Sequence, residues 1–197
     1  MAFIELIPED EASGDMAELY EAERARMGSL PNYVKAFGWR PAAYAAWRGL
    51  ISEIQQTMDT RRYELVTLAA AQRLRSSYCS LAHGKVLLDR FMDAKTLRDV
   101  ASDPRGAGLD ELDLAVMELA TKVVDDATSV TETDIERLRS LGLSDADIVD
   151  VVLATAARCF FSKTLDALGV QPDATFAGAF DPEVRQALVV GRPIATA

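Results

Sequence analysis

Apolar residues recur along this chain at intervals of three and four residues, the period of an amphipathic helix. The segment 41–58 shows the pattern most clearly, with apolar positions at Tyr44, Trp47, Leu50, Ile51 and Ile54. Strict alternation of apolar and polar residues, which indicates a half-buried strand, is absent from the sequence. The sequence therefore predicts an all-α fold.

Capping residues and glycines set the ends of the predicted helices. The helices are expected at residues 16–28, 31–39, 41–58, 61–74, 78–91, 94–102, 110–126, 131–142, 145–169 and 183–189. Asp59 or Thr60 is a suitable N-cap, Thr131 begins a capping-box-like sequence, and Ser76 or Ser77 precedes the helix that carries Cys79. We expect an N-terminal arm (1–14), a single all-α domain (15–170) and a C-terminal tail (171–197).

Charge and composition narrow the classes of function. The net charge of −10 argues against a nucleic-acid partner, which requires a basic face. No apolar run is long enough to span a bilayer, so no membrane partner is expected. The N-terminus lacks a cationic start followed by an apolar run, and two cysteines about eighty residues apart do not form a disulfide framework. We therefore expect a cytoplasmic protein.

The stretch 64–83 contains the only histidine of the protein and one of its two cysteines. Cys79 and His83 lie four residues apart, which places them one turn apart on the same helix face. A cysteine in the first turn of a helix faces free backbone N–H groups and the positive end of the helix dipole, and both favour the thiolate. With Glu64 near the start of the preceding helix, the stretch supplies the thiol, base and acid of an activated nucleophile.

Each of these residues also has a purely structural interpretation. Cysteine is commonly buried, and a lone histidine is often a hydrogen-bonded structural residue. Glu64 in a first helical turn is favourable without any function. Ser76, three residues before Cys79, either approaches the thiol or caps the helix, and Tyr78 either lines a pocket or packs.

No metal or cofactor is expected. Cys79 and His83 supply only two zinc ligands, and no further cysteine or histidine lies near them in sequence. The glycine-rich stretch RGAG lacks a preceding strand, and no heme, flavin or nucleotide motif is present. Cys159, which is followed by Phe160 and Phe161, is expected to be a core residue.

The spacing of four of these residues resembles the signature of the alkylhydroperoxidase D-like proteins in the carboxymuconolactone decarboxylase superfamily. That signature is a glutamate, then twelve residues on a Cys-x-x-Cys, then three residues and a histidine. Glu64, Ser76, Cys79 and His83 match this spacing, and the flanking sequence is similar to the peroxidase-related branch. The resemblance covers about residues 15–170 and implies the alkylhydroperoxidase D-like helical fold.

The resemblance also implies roles for the matched residues. Cys79 would attack the peroxide, His83 would be its base or proton relay, and Glu64 would be the relay acid. The first cysteine of the family, which resolves the sulfenic acid, is Ser76 in this chain. A sulfenic acid on Cys79 would therefore need an external thiol reductant or Cys159. The expected function is reduction of hydroperoxides by a one-cysteine mechanism.

Two alternative functions use the same residues. The decarboxylase branch of the superfamily performs acid–base chemistry on a small organic acid, for which Glu64 and His83 suffice, with Arg73 or Arg75 available for a carboxylate. In the other alternative, the protein is a non-catalytic oligomer with a packed polar cluster. The resemblance implies a homo-oligomer, and the small-residue and Tyr/Trp faces of residues 41–58 are the expected contact.

Overall fold

The computed structural model describes residues 2–196, and within that range it contains helices and loops but no strand. The predicted all-α class is confirmed. The α-helices are α1 (Asp15–Met27), α2 (Asn32–Phe37), α3 (Pro41–Thr57), α4 (Thr60–Arg73), α5 (Ser77–Arg90), α6 (Ala94–Ser102), α7 (Glu111–Asp126), α8 (Glu132–Ser140), α9 (Asp145–Ala167) and α10 (Pro182–Leu188). Short 3-10 turns lie at Glu9–Glu11, Pro104–Gly106, Ala127–Ser129 and Ala174–Gly178.

Helix α4 is the centre of the fold. Every residue from Tyr63 to Ala71 is buried, and the helix packs against α5, α7 and α9. A helix that is covered on all sides has no face on which a charged side chain can reach water. Glu64 is therefore the exceptional residue of α4. It is the fifth residue of the helix, one residue further from the start than the sequence predicted, and only 5% of it is exposed.

The helix ends match the capping signals in the sequence. The Asp59 carboxylate accepts a hydrogen bond from the backbone N–H of Arg62, and Thr131 and Asp134 form the predicted capping box. Ser76 occupies the N-cap position of α5, but its hydroxyl makes no capping hydrogen bond. The N-cap position predicted for Ser76 is therefore confirmed, but its side chain does not cap the helix, and Cys79 lies in the first turn of α5.

The turn between α4 and α5 has the hydrogen bonds of a Schellman motif. The Arg75 N–H donates to the Gln72 carbonyl and the Ser76 N–H donates to the Ala71 carbonyl, at 3.0 and 2.9 Å. Arg75 holds the left-handed position with φ of 57°, where glycine is usual and other residues are disfavoured by about 1–2 kcal/mol. Contacts from elsewhere in the chain are therefore needed to stabilise this turn.

Those contacts come from the end of the chain. The Val190 carbonyl accepts a hydrogen bond from Nε of Arg75 at 3.2 Å, and the Gly191 N–H donates to Oγ of Ser77 at 2.8 Å. Gly191 packs so tightly that a Cβ placed on it would lie 1.9 Å from the Arg75 carbonyl oxygen. Residues 187–192, named here the C-terminal strap, thus fix the start of α5 and with it the position of Cys79.

Aromatic residues form a second core region next to α5 and α9. Phe161 of α9 stacks on Trp47 of α3 with ring centroids 4.2 Å apart, and Tyr44 is 1% exposed. The Tyr/Trp face of α3 therefore points into the protein, so the prediction that it forms an oligomer contact is wrong. The outer side of α3 presents small residues and Leu50 to solvent.

Within residues 2–196, none of the helices has the length and apolar character that crossing a membrane requires.

Substituting Gly191 by alanine tests the role of the C-terminal strap. We expect G191A to lower the free energy of unfolding by about 1–3 kcal/mol, because its methyl group must displace the Arg75 backbone. Urea unfolding measures the change. The matched control is G178A, whose added methyl meets open space. Equal stability of the two variants would contradict a tight contact at Gly191.

Candidate active site

A carboxylate–imidazole pair lies buried between α4 and α5. Oε2 of Glu64 and Nδ1 of His83 are 2.6 Å apart, and the two side chains are 7% and 13% exposed. A carboxylate on Nδ1 selects the tautomer with the proton on that nitrogen, which leaves Nε2 free to accept a proton. The structure thus brings together two of the residues that the sequence motif predicted as a site.

His83 is held in its neutral form. Burial lowers the pKa of His83, and the positive charge of Arg158 lowers it further, while Glu64 acts in the opposite direction. The net effect is a pKa below the ordinary value for histidine. A neutral imidazole with a free Nε2 can act as a general base near neutral pH.

The sulfur of Cys79 is bound by α9 and not by His83. Nη1 of Arg158 donates to Sγ at 3.5 Å, and the Ser162 hydroxyl donates to Sγ at 3.1 Å. Arg158 and Ser162 lie four residues apart on α9, so one face of that helix supplies both donors. Cys79 and His83 share a face of α5, as their spacing predicts, but each hydrogen-bonds to a different neighbouring helix.

Arg158 is the site residue that the sequence interpretation missed. It is 3% exposed, and its Nη2 also donates to the hydroxyl of Tyr63 at 3.4 Å. The guanidinium group lies 5.5 Å from the ring of Phe161, a cation–π contact. An arginine in the middle of the apolar segment VVLATAARCFF is the signal that could have identified it, because arginine is almost never fully buried without a partner.

The two auxiliary residues lie beside the site without bonding to the sulfur. The hydroxyl of Ser76 is buried near the carboxyl group of Asp166 but makes no well-formed hydrogen bond. The hydroxyl of Tyr78 donates to the Asp173 carboxylate, and its ring packs edge-on against Tyr33. Tyr78 therefore belongs to the aromatic core.

Cys159 lies on a different face of α9 from the residues that contact Cys79. It follows Arg158 by one residue, which rotates its side chain by about 100° around the helix. Both thiols are free in the structure. Burial raises the pKa of Cys159, which disfavours its reactive thiolate form.

The site is almost closed to solvent. Cys79 is 1% exposed and Arg158 is 3% exposed, while the His83 side chain has the greatest exposure of the four charged or reactive groups, at 13%. His83 is therefore the most accessible group of the site.

Comparisons with known proteins identify the fold. A scan against models of protein families found no match, and a search of curated proteins found none either. Solved structures do match. An uncharacterised peroxidase-related protein from Silicibacter sp. TM1040 is 21% identical with a TM-score of 0.80, over 90% of this chain and 94% of that one.

Two further solved structures show the same architecture. The alkylhydroperoxidase AhpD core of Ralstonia eutropha JMP134, an uncharacterised peroxidase-related protein, is 21% identical with a TM-score of 0.79, over 89% of this chain and 94% of that one. The debrominase Bmp8, as a cysteine-to-alanine variant in complex with 2,3,4-tribromopyrrole, is 14% identical with a TM-score of 0.75, over 93% and 100%. The protein therefore has the alkylhydroperoxidase D-like helical fold, as its motif predicted.

Proposed function

We propose that the protein reduces small hydroperoxides with Cys79 as its only reacting thiol. The observation that carries the proposal is the arrangement around Cys79, whose sulfur accepts hydrogen bonds from Arg158 and Ser162. One helical turn away, the Glu64–His83 pair offers a free imidazole nitrogen. A nucleophile held by cationic and hydroxyl donors beside a general base is the arrangement that covalent catalysis requires.

In the proposed step, the Cys79 thiolate attacks the distal oxygen of the hydroperoxide. An S–O bond forms, the O–O bond breaks, sulfur is oxidised by two electrons, and the peroxide is reduced to an alcohol. Nε2 of His83 takes the proton from the distal oxygen and returns it to the departing alkoxide, while Glu64 holds the ring in place. The products are a sulfenate on Cys79 and a neutral alcohol, so one negative charge is present before and after the step.

Reduction of the sulfenate needs an external thiol in this proposal. Ser76 has no sulfur, and Cys159 lies on another face of α9 with its pKa raised by burial. One thiol molecule forms a mixed disulfide with Cys79 and releases the oxygen as hydroxide, which takes a proton to become water. A second thiol molecule then releases the Cys79 thiol and leaves as the external disulfide. The 1% exposure of Cys79 favours a small reducing thiol.

The Glu64–His83 pair also supports a second candidate function. A hydrogen-bonded carboxylate and imidazole are sufficient for acid–base lyase or isomerase chemistry on a small organic acid, with Cys79 lining the site. The debrominase among the similar structures indicates that this fold carries more than one activity. Acid–base chemistry would survive replacement of Cys79 by serine, whereas peroxide reduction would not.

We further propose that the protein is a homo-oligomer formed through α9. The outer face of α9 carries five exposed apolar residues at helical spacing: Val149, Val152, Leu153, Ala156 and Phe160. A helix that is apolar on all sides is normally buried, and a contiguous exposed apolar surface marks a protein contact. A second copy of the chain that presents the same face of α9 would bury the apolar residues of both copies.

Replacing each cysteine in turn tests the proposed reaction. We expect C79S to lower hydroperoxide consumption with a small thiol by at least about a hundredfold, because it removes the nucleophile. A sulfenate-trapping reagent followed by mass spectrometry should label Cys79 in the unmodified protein. The control is C159S, which should keep both activity and labelling. Absence of peroxide consumption and of a trapped sulfenate in the unmodified protein would contradict the proposal.

The pH dependence of stability tests the neutral state of His83. The folded-state pKa lies below the unfolded value of about 6.5, so the unfolded chain binds a proton first as the pH falls. Stability should therefore decrease as the pH falls through about 6.5 and below, and H83Q should remove this decrease because His83 is the only histidine. Urea unfolding of the unmodified protein and of H83Q at several pH values measures this decrease in stability. A decrease that persists in H83Q would contradict the assignment.

A charged residue introduced on the outer face of α9 tests whether the protein forms an oligomer through this face. We expect L153D to convert the assembly to a smaller species with unchanged helical content, because the carboxylate would be buried without a partner. Light scattering after size-exclusion chromatography measures the mass. The control is M27D, at an exposed apolar residue of α1 outside this face. A monomeric unmodified protein would contradict the proposal, as would an L153D assembly of unchanged mass.

A further inference from the structure

Arg158 has no carboxylate partner among residues 2–196. Its hydrogen bonds go to Sγ of Cys79 and to the hydroxyl of Tyr63, and its Nε is buried without a partner. Glu64, the buried acid of α4, is bound to His83 instead. Because His83 is neutral, the Glu64 carboxylate adds negative charge to the same cluster, but within residues 2–196 it makes no hydrogen bond to Arg158. A buried cation is stabilised most by an anion that it contacts directly.

Tyr63 does not supply that negative charge. Burial raises its pKa, so the phenol stays protonated and can only accept a hydrogen bond from Nη2 of Arg158. The cation–π contact with Phe161 is attractive but carries no net charge. Among the groups that contact Arg158, the sulfur of Cys79 is therefore the one on which the guanidinium group can stabilise a negative charge.

His83 is not the cation that holds the sulfur. Its Nδ1 is 2.6 Å from the Glu64 carboxylate, and both burial and the charge of Arg158 lower its pKa. The imidazole is therefore neutral and bound to α4, whereas Arg158 is a permanent cation bound to the sulfur. The ionisable groups around the thiol are thus Arg158 from α9, Tyr63 and Glu64 from α4, and His83 from α5 itself.

We infer that Arg158 is a catalytic residue that keeps Cys79 in anionic form, as the thiolate before reaction and as the sulfenate afterwards. The contacts of its guanidinium group with Sγ, made without a carboxylate partner among residues 2–196, carry this assignment. The thiolate half is argued from this contact, and the sulfenate half rests on the proposed function. The proposed step begins and ends with one negative charge on Cys79. Arg158 therefore has an anionic partner both before and after the reaction.

The inference assigns separate roles to the two basic groups of the site. Arg158 and Ser162 stabilise charge on sulfur, and His83 moves the proton between the two peroxide oxygens. A site that lacks a second cysteine must keep its oxidised sulfur intact until an external thiol arrives. The permanent cation and the hydroxyl donor that contact the sulfur would stabilise the negative charge of this sulfenate.

The experiment measures the thiolate directly, without peroxide. In a C159S background, ultraviolet absorbance reports the Cys79 thiolate at about pH 6, where an ordinary cysteine is almost fully protonated. We expect a clear thiolate signal in that parent protein and in R158K, which keeps the charge. The thiolate signal of R158M should be at least about tenfold weaker than that of the parent protein. H83Q should keep the signal, because His83 is not the counter-ion.

Three results would overturn the inference: no thiolate in the parent protein at about pH 6, an R158M signal equal to that of the parent, or loss of the signal in H83Q with its retention in R158M. If R158M does not fold, R158Q has a neutral side chain of similar length and the same expected result. The parent measurement can overturn the inference without either variant. A thiolate signal without peroxide consumption would remove the proposed function and leave the Arg158–thiolate pair. Peroxide consumption that does not depend on Arg158 would leave the proposed function in place and remove the inference about Arg158.

Discussion

Polar groups buried between α4, α5 and α9 must find their partners in one another, because their side chains are almost entirely shielded from bulk water. Glu64 pairs with His83, and Arg158 pairs with Cys79. Each pair joins two different helices, so the three helices are held at defined positions by the groups that would perform the chemistry. Removing one member would leave the other buried without that partner, which couples the stability of the core to the composition of the site.

The sequence predicts the helices well because their signals are local. Capping residues such as Asp59 and Thr131 act within three positions of themselves, and the period of the apolar residues needs only one turn to be visible. The motif spacing also predicts the residues of the candidate site on α4 and α5. It does not reveal their partners, since Cys79 and His83 share a face of α5 yet pair with different helices.

Local sequence patterns cannot predict the contact that Arg158 makes with Cys79. Arg158 is 79 residues from Cys79 along the chain, and its contact depends on how α9 is rotated against α5. The C-terminal strap is a similar case, because Gly191 contacts Ser77, 114 residues away at the start of α5. Turn signals in residues 171–197 indicate loops, but nothing in them indicates which surface those loops cover. Tertiary contacts of this kind follow from the packed core and from side chains that meet only after folding.

This chain has Ser76 at the position of the first cysteine in the family signature that its motif resembles. A two-cysteine site protects its oxidised sulfur by forming a disulfide, which needs no stabilisation of a sulfenate. A one-cysteine site has to protect the same sulfur by contacts, and burial alone would disfavour an anion there. Arg158 and Ser162 compensate for that burial, since both donate to Sγ from a single face of α9. In the proposed mechanism, one requirement accounts both for Ser76 at the first motif position and for a buried arginine without a carboxylate partner among residues 2–196. That requirement is an anionic sulfur that is kept away from water.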